Sequence, residues 1–432
     1  MKRTLKILKY FLVILFALIL IALGVRYNKE INDFNNHVIK GKPKVSLVEK
    51  SLLNLNAYEA YDVEKIDFSR NFLNSLTIDT EIYGLSGNNQ YKVTFAEVRD
   101  KKLYWMNNGS FLYSTNIDNL KNFKYKFIGE LLPDYKLLKW NGGVRGASLI
   151  DDRTIAIFHT SQSSDEKQQD NFSLHLSIVD FINMSLLDSR KIANSKVDND
   201  HAALGGGMYF HSGENTIYLT VGASHIAKDF ESAMKAQDDN SNFGKILKIT
   251  LNKDHSWNIE KIDILSKGLR NPQGLTRYKN EFFSVEHGPK GGDEINLLKE
   301  GKNYGWPLFS FGSNYDGDDG SLMTRDPNLI DPVFHFTPSI GISDIDPCPS
   351  FFQREGYKSC LLVSAMKDKS FRLIKFHEGT FNVNSVETIK LDARIRELVA
   401  FKNQIILFTE SFDSNDPANN RLTSIKYKFI SK

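Results

Sequence analysis

Along most of the chain, short apolar strands and polar turns follow one another in a pattern that returns at intervals of roughly sixty residues. Each copy contains an apolar strand, a polar turn and an alternating strand that ends in a small or hydroxyl residue. Six copies begin at Tyr91, Gly146, Gly206, Gln273, Gly341 and Arg396. Each interval has room for about four short strands, and residues 172–179 and 245–251 add candidates with period-two alternation.

A small antiparallel sheet cannot bury both of its faces alone, so six repeats predict sheets packed side by side. We expect an all-β fold, a six-bladed β-propeller of four-stranded antiparallel sheets closed around a channel. A long open sandwich is the alternative. The propeller is expected to span residues 47–432. Residues 26–46 contain no copy of the repeat and are interpreted as a stalk.

The repeat also predicts where polar side chains gather. In a two-stranded hairpin, the residue that enters the first strand and the residue that leaves the second lie at the same end. The entry segments contain Asn141, His201, Arg270 with Asn271, and Arg394 with Arg396, and the exit segments contain His287, Gly288, Pro289 and Lys367. We therefore expect polar and cationic groups from several blades at one mouth of the channel, where propellers commonly place ligands.

The N-terminus has a basic segment, residues 1–9, followed by an uninterrupted apolar run at residues 10–25. This order predicts a transmembrane signal anchor with a cytoplasmic basic flank. The chain is then a single-pass cell-membrane protein with the propeller on the extracytoplasmic (periplasmic) side. A cleaved signal peptide is the alternative, because the run is slightly short for a membrane span.

Composition narrows the choice of partner. The 432 residues are 41% hydrophobic and carry a net charge of +3, so a large core is expected and a nucleic-acid partner is not. The partner is expected to be small or neutral.

The two cysteines, Cys348 and Cys360, either form a disulfide in an oxidising compartment or remain buried thiols.

Three motifs stand close together: GLRNPQG at residues 268–274, EHGPKGGDEIN at 286–296 and GKNYGWP at 301–307. Further short matches are AMKDK at 365–369 and RIRE at 394–397. In this order the motifs resemble the signature of the soluble aldose sugar dehydrogenases that use pyrroloquinoline quinone (PQQ), the glucose/sorbosone dehydrogenase family. The resemblance covers residues 141–411, and it implies oxidation of an aldose to a lactone, with the electrons passed to an external acceptor.

The resemblance also implies a cofactor site. PQQ carries three carboxylates and an ortho-quinone, so its site needs cations and a group that polarises the quinone oxygen. The matching cofactor positions are Asn141, Asn271, Lys367, Arg394 and Arg396, and Arg270 matches a catalytic group beside the quinone. Calcium is expected at the carbonyls of Gly288 and Pro289, since backbone oxygens are suitable hard ligands. Asp293, Glu294 and Tyr304 match a region that supports a second calcium in some relatives.

The expected general base is His201, which would take the proton of the sugar hydroxyl. Here the sequence departs from the family pattern. His201 stands further from the following glycines than the family's histidine does, Gly207 replaces the usual arginine, and Asn141 replaces a common glutamine. A catalytically silent propeller that binds a carbohydrate or a protein partner is therefore the alternative, and a purely structural envelope protein is a third. The other histidines lack the short spacing of a zinc site.

Overall fold

The computed structural model describes residues 81–84, 92–122, 125–138, 142–162, 171–196, 204–223, 230–313, 328–349, 359–391, 393–402, 404–410 and 421–426. Within these ranges the strands form six four-stranded antiparallel sheets. Each of the six copies of the sequence repeat falls on the first hairpin of a different sheet. The expected all-β propeller fold is confirmed.

The first three sheets follow chain order. Sheet I contains β2 (Val93–Arg99), β3 (Lys102–Asn107), β4 (Phe111–Asn116) and β5 (Lys126–Glu130). Sheet II contains β6 (Val144–Leu149), β7 (Thr154–Gln162), β8 (Asn171–Asp180) and β9 (Ser185–Lys196). Sheet III contains β10 (Gly205–His211), β11 (Thr216–Val221), β12 (Lys245–Asn252) and β13 (Asn258–Lys267).

The remaining sheets complete the ring. Sheet IV contains β14 (Pro272–Tyr278), β15 (Glu281–Glu286), β16 (Asp293–Leu298) and β17 (Phe334–Phe336), and sheet V contains β18 (Ile342–Pro347), β19 (Cys360–Ala365), β20 (Ser370–Phe376) and β21 (Val383–Lys390). Sheet VI joins β22 (Arg394–Phe401), β23 (Gln404–Glu410) and β24 (Arg421–Lys426) to β1 (Glu81–Gly84). One short helix, α1 (Phe230–Met234), and two 3₁₀ segments, Ile117–Asn122 and Lys253–His255, are also described.

The sheets close because strands from the two ends of the chain share sheet VI. β1 pairs with β24, antiparallel, so the early part of the sequence completes a sheet whose other strands come late. The inner strands β2, β6, β10, β14, β18 and β22 contact one another in this order, and β22 contacts β2. They surround a central cavity of about 420 Å³ to which every inner strand contributes residues.

Apolar side chains fill the spaces between neighbouring sheets. Between sheets II and III, for example, Phe158 and Leu176 pack with Leu219 and Leu247, and all four are buried. β12 shows why the sequence forms a strand here, since its apolar residues alternate with partly exposed ones as a half-buried strand requires. The core is therefore a ring of interfaces between sheets, which leaves the central cavity lined by the inner strands.

Half-buried carboxylates tie neighbouring inner strands together. Leu149 N–H donates to Glu97 across sheets I and II, and Leu398 N–H donates to Asp344 across sheets V and VI. Ala400 N–H likewise donates to Asp346. Burial raises the pKa of all three carboxyl groups, that of Asp344 to about 7. The channel wall thus contains acids that are readily protonated.

The structure describes the cysteine pair but not the expected membrane segment. Cys348 and Cys360 form a disulfide, which settles the choice that the sequence left open. The expected membrane segment and stalk, residues 10–46, lie outside the described residues. Within the described ranges, no helix has the length and apolar character needed to span a bilayer.

The closest approach between two inner strands predicts a stability effect. A Cβ atom added to the buried Gly146 would lie 1.8 Å from the carbonyl oxygen of Gly206 in the next sheet, so Gly146→Ala must force β6 and β10 apart. Overpacking of this kind costs about 1–3 kcal/mol, and we expect the melting temperature to fall by several degrees. Gly213→Ala is the matched control, because its nearest atom is 3.4 Å away on a side chain. Equal melting temperatures for the two variants would contradict the prediction.

Candidate active site at the channel mouth

One end of the channel collects the sequence-predicted residues that the structure describes. The inner strands all begin at this end, and the second strand of each sheet ends there, because the hairpins are antiparallel. Arg270 and Asn271 precede β14, Gly288 and Pro289 follow β15, Lys367 follows β19, and Arg394 and Arg396 lie on β22. The structure therefore brings these residues to one mouth. Asn141 and His201 lie outside the described residues.

Every inner strand has a register shift near its start, where one residue or two are left out of the ladder. In sheet II the residue left out is Arg145, and in sheet VI it is Arg396. Both line the cavity. A β-bulge turns a side chain away from the regular alternation, and here it directs two arginines to the mouth.

Arg394 and Arg396 hold one carboxylate between them. Arg396 donates from Nε and Nη2 to the two oxygens of Glu410 at 2.9 and 2.8 Å, and Arg394 Nη2 donates to Oε1 at 3.1 Å. The Glu410 side chain is 4% exposed. Burial alone would raise the pKa of Glu410, but the charge and hydrogen bonds of Arg396, with Lys92 and Arg394, lower it to about 2. Glu410 is therefore ionised at neutral pH.

Two further cations, Lys92 and Arg145, lie near these arginines. Lys92, just before β2, has a lowered pKa because of its burial, and the charges of Arg396, Arg394 and Arg145 act in the same direction. Arg145 donates to the carbonyl of Gly205 at 3.0 Å. The nearby Glu397 has a pKa raised by burial and by the charge of Asp344. Arg396, Lys92 and Arg394 thus act on one ionised carboxylate, and Arg145 lies near Lys92. We refer to Lys92, Arg145, Arg394, Arg396 and Glu410 as the cation cluster.

Arg270 lies beside the loop that follows β15. Its Nη1 donates to the carbonyl oxygens of His287 and Gly288, each at 2.9 Å, and its guanidinium stacks 5.3 Å from the centre of the Trp306 ring. Its backbone N–H donates to Glu286. Two carbonyls of this loop therefore already converge on one positive group. Arg270 is 5% exposed.

Asn271 links sheets III and IV at the mouth. Its side-chain oxygen accepts from the Gly205 N–H at 3.1 Å and from Gln273 Nε2 at 2.8 Å.

His287 is half-buried nearby. Its pKa is lowered to about 4 by burial and by the charges of Arg270, Arg396 and Arg145, although the charge of Asp293 acts in the opposite direction. The imidazole is therefore neutral at pH 7.

The residues expected at a second calcium have protein partners in this structure. One oxygen of Asp293 accepts from Gly288 N–H, and the other accepts from the backbone N–H groups of residues 340, 341 and 342. Glu294 pairs with Glu286, and its pKa is raised by burial and by the charge of Glu286. The Tyr304 hydroxyl donates to the Leu297 carbonyl. Asp293 therefore fixes the loop of Gly288 against sheet V, whereas calcium binding by these three residues stays a prediction.

Sequence reasoning missed Lys92, Arg145 and Glu410. Arg145 carried a usable signal, since it stands one residue before the second copy of the repeat, as the entry residues do. Glu410 is the second-last residue of the sixth copy, and that position predicts no role for it. Lys367 is exposed, and its backbone N–H donates to the Ile340 carbonyl.

The cation cluster predicts a pH-dependent contribution to stability. The pKa of Glu410 is lower in the folded protein than its ordinary value of 4.5, so its contribution is present above pH 4.5 and is lost as the pH falls towards 2. Glu410→Gln should lower the free energy of unfolding by about 3 kcal/mol at pH 7. Thermal unfolding of both proteins from pH 7 to pH 3.5 should show the difference shrinking. A difference that does not change with pH would mean that the cations do not act on an ionised Glu410.

Comparison with known proteins supports one family. The family model described as Glucose / Sorbosone dehydrogenase matches residues 99–417. Aldose sugar dehydrogenase YliI of Escherichia coli is 31% identical over 183 residues, 38% of this chain and 45% of that protein. The matches span about half the length of the first curated relatives.

Solved structures share the fold. The soluble aldose sugar dehydrogenase of Escherichia coli, in the apo form, has a TM-score of 0.60 at 19% identity, over 81% of this chain and 100% of that one. The PQQ-bound aldose sugar dehydrogenase of Streptomyces coelicolor has a TM-score of 0.56 at 19% identity, over 81% and 99%. Since the family model matches well over half of the residues, the chain belongs to the Glucose / Sorbosone dehydrogenase family.

Proposed function

We propose that this chain is a PQQ- and calcium-dependent aldose sugar dehydrogenase on a six-bladed propeller. It oxidises the anomeric hydroxyl of an aldose to a lactone, and the two electrons pass to an external acceptor. The observation that carries the proposal is the cation cluster, in which four cations gather at one mouth and three of them act on one carboxylate. Cations gathered at the mouth of a cavity favour an anionic ligand.

PQQ fits this cluster because it brings three carboxylates. Arginine forks suit carboxylates through paired hydrogen bonds, and Arg394 and Arg396 make such bonds to Glu410. Lys92, Arg145 and the exposed Lys367 add donors at the same mouth. Asn271 and Asn141 are proposed to complete the set of polar contacts.

Calcium is supported by the loop at Gly288. Within the described residues no group of three acidic, histidine or cysteine side chains is placed to hold a metal, so calcium would depend on backbone oxygens and on the cofactor. The carbonyls of His287 and Gly288 both accept from Arg270, which indicates that this loop turns its oxygens towards positive charge. Pro289 follows in the same loop, and a bound calcium would take over contacts that Arg270 now makes.

PQQ, when bound, supplies the two-electron acceptor that receives hydride from the anomeric carbon. The protein's part is to orient the sugar and to manage the proton. His201 is proposed to take the hydroxyl proton as the hydride leaves. Arg270 is proposed to stabilise the negative charge that develops on the acceptor oxygen, because a buried cation is effective where water is excluded.

The alternative is a propeller that binds a ligand without chemistry. It is favoured by the sequence around His201, where extra residues precede the glycines and Gly207 replaces an arginine. Binding of PQQ and turnover of an aldose are therefore separate questions, and each needs its own experiment.

We also propose that residues 10–25 anchor the chain in the cell membrane with the propeller on the extracytoplasmic side. The basic flank before the apolar run supports this orientation. The disulfide between Cys348 and Cys360 supports an oxidising compartment.

Cofactor binding is the first test. The purified protein should bind PQQ by calorimetry with excess calcium and lose it with a chelator. Lys92→Ala, Lys367→Ala and Arg394→Ala should each weaken binding roughly 10- to 100-fold, because each removes a charge-assisted contact of about 1.5–3 kcal/mol. Lys101→Ala is the control, since this side chain is 62% exposed at the other end of sheet I. No PQQ uptake at high calcium would favour the silent propeller.

Catalysis is the second test. His201→Ala should keep PQQ and calcium, because imidazole is not needed to hold either, but aldose-dependent reduction of an artificial dye should fall roughly 100- to 10,000-fold. His377→Ala is the control, as His377 is exposed in the turn after β20. Wild-type turnover in the His201 variant would assign the base to another residue. A wild-type protein that binds PQQ and oxidises none of a panel of aldoses would mean that the extra residues after His201 disable the site.

A further inference from the structure

Lys245 is the first residue of β12, the third strand of sheet III, and its side chain is fully buried at the mouth end of that sheet. Its ammonium group donates to three backbone carbonyls, those of Lys235 at 2.9 Å, Ala236 at 3.0 Å and Phe243 at 2.8 Å. An ammonium group has three hydrogens, so these contacts can use all of them. The three carbonyls belong to the two ends of residues 235–243, which we call the mouth loop. Lys245 therefore ties the two ends of this loop together.

The contacts with the mouth loop require the charged form of Lys245. Burial lowers the pKa of this side chain to about 8, and the charge of Lys267 acts in the same direction, whereas the charges of Asp238 and Asp239 oppose it. At pH 7 the side chain is therefore mostly protonated. A neutral amine has only two hydrogens and would leave one of the three carbonyls without this donor. Lys245 thus serves as a built-in cation for the mouth loop.

The mouth loop in turn holds the segment that contains Trp306. Gln237 Nε2 donates to the Trp306 carbonyl at 2.5 Å, and Ala236 packs against the tryptophan side chain. The Ala236 carbonyl also accepts from the Gly268 N–H at 3.1 Å, and the Gly268 carbonyl accepts from the Trp306 N–H at 2.9 Å. The mouth loop, Gly268 and Trp306 are therefore joined by side-chain and backbone contacts.

Trp306 supports the guanidinium of Arg270, which lies 5.3 Å from the centre of the indole ring. Arg270 also follows Gly268 by only two residues, so the mouth loop contacts the same backbone segment directly. A long side chain has many rotamers, and an aromatic ring beneath the guanidinium restricts them. An unbroken series of contacts thus runs from the Lys245 ammonium group to Arg270.

We propose that Lys245 is a positioning residue whose ammonium group orders the mouth loop, so that the loop holds Trp306 and Trp306 sets the direction of the Arg270 guanidinium. The inference rests on the proposed function, in which Arg270 stabilises the charge that develops on the acceptor oxygen. A displacement of about 1 Å near the reacting atoms can lower a rate roughly 100-fold. Lys245 therefore affects turnover from a buried position in the third strand of its sheet.

Hydrogen exchange on the purified protein without PQQ tests the link to the mouth. Lys245→Met keeps a long side chain and removes the charge. Backbone N–H groups of residues 235–243, 267–270 and 304–306 should exchange at least about ten-fold faster, because charge-assisted hydrogen bonds that order them are lost. Sheet V should be unchanged. Lys248→Met is the control, since Lys248 lies on the same strand, is 38% exposed and pairs with Glu214. Unchanged exchange at residues 304–306 in folded Lys245→Met overturns the proposal.

Turnover of the PQQ-loaded protein tests the link to the chemistry. Lys245→Met should lower kcat for aldose-dependent dye reduction roughly 10- to 100-fold and change the dissociation constant of PQQ by less than about two-fold, because the cation cluster is distant from it in the sequence and shares none of its hydrogen bonds. In an Arg270→Ala background the same substitution should lower kcat by less than about two-fold, since the group that it positions is gone. Fully additive effects of the two substitutions overturn the proposal.

Gln237→Ala provides a second variant that leaves the buried lysine in place. It removes the hydrogen bond to the Trp306 carbonyl, so it decides the question if Lys245→Met does not fold. Exchange at residues 304–306 should be faster and kcat should be lower, and wild-type behaviour in both measurements overturns the proposal. A wild-type protein that oxidises no aldose refutes the proposed function instead, and the exchange measurements still decide whether Lys245 orders the residues around Arg270.

Discussion

The gathering of cations around Glu410 is the constraint on which the mouth of this propeller depends. Arg394 and Arg396 use one carboxylate as a common acceptor, Lys92 acts on the same carboxylate, and Arg145 acts on Lys92. Like charges held close together in a half-buried site oppose folding. The fold must therefore hold these side chains by other means, and a ligand that supplies negative charge gains affinity from the repulsion that it relieves.

The inner strands provide that support. Their bulges fix the direction of Arg145 and Arg396, and Asp293 fixes the loop of Gly288 to sheet V through backbone N–H groups on both sides. Below the mouth, acids such as Asp344 connect one inner strand to the next. Burial raises the pKa of Asp344 and Asp346, which lowers the negative charge that these acids bring to the channel.

The sequence predicted the parts of this arrangement that follow from strand polarity. Period-two alternation placed the hairpins, and antiparallel pairing then placed Arg270, Lys367 and Arg394 at one end. Glu410 could not be assigned in this way, because its role depends on the arginines of the preceding strand and on their low solvent exposure. The bulge that exposes Arg145 has no local signal beyond its position before a glycine. Asn141 and His201 remain sequence predictions.

Arg270 connects the proposed metal site with the proposed chemistry. Its guanidinium donates to the carbonyls of His287 and Gly288, and the second of these is also a proposed calcium ligand. Calcium bound at the Gly288 carbonyl would place a second positive charge next to Arg270, and the repulsion would weaken that hydrogen bond. The stacking on Trp306 would still hold the side chain at the mouth. If calcium occupies the proposed site, the Arg270 guanidinium would be freed from Gly288 and would stay at the mouth, where the proposed chemistry needs a cation.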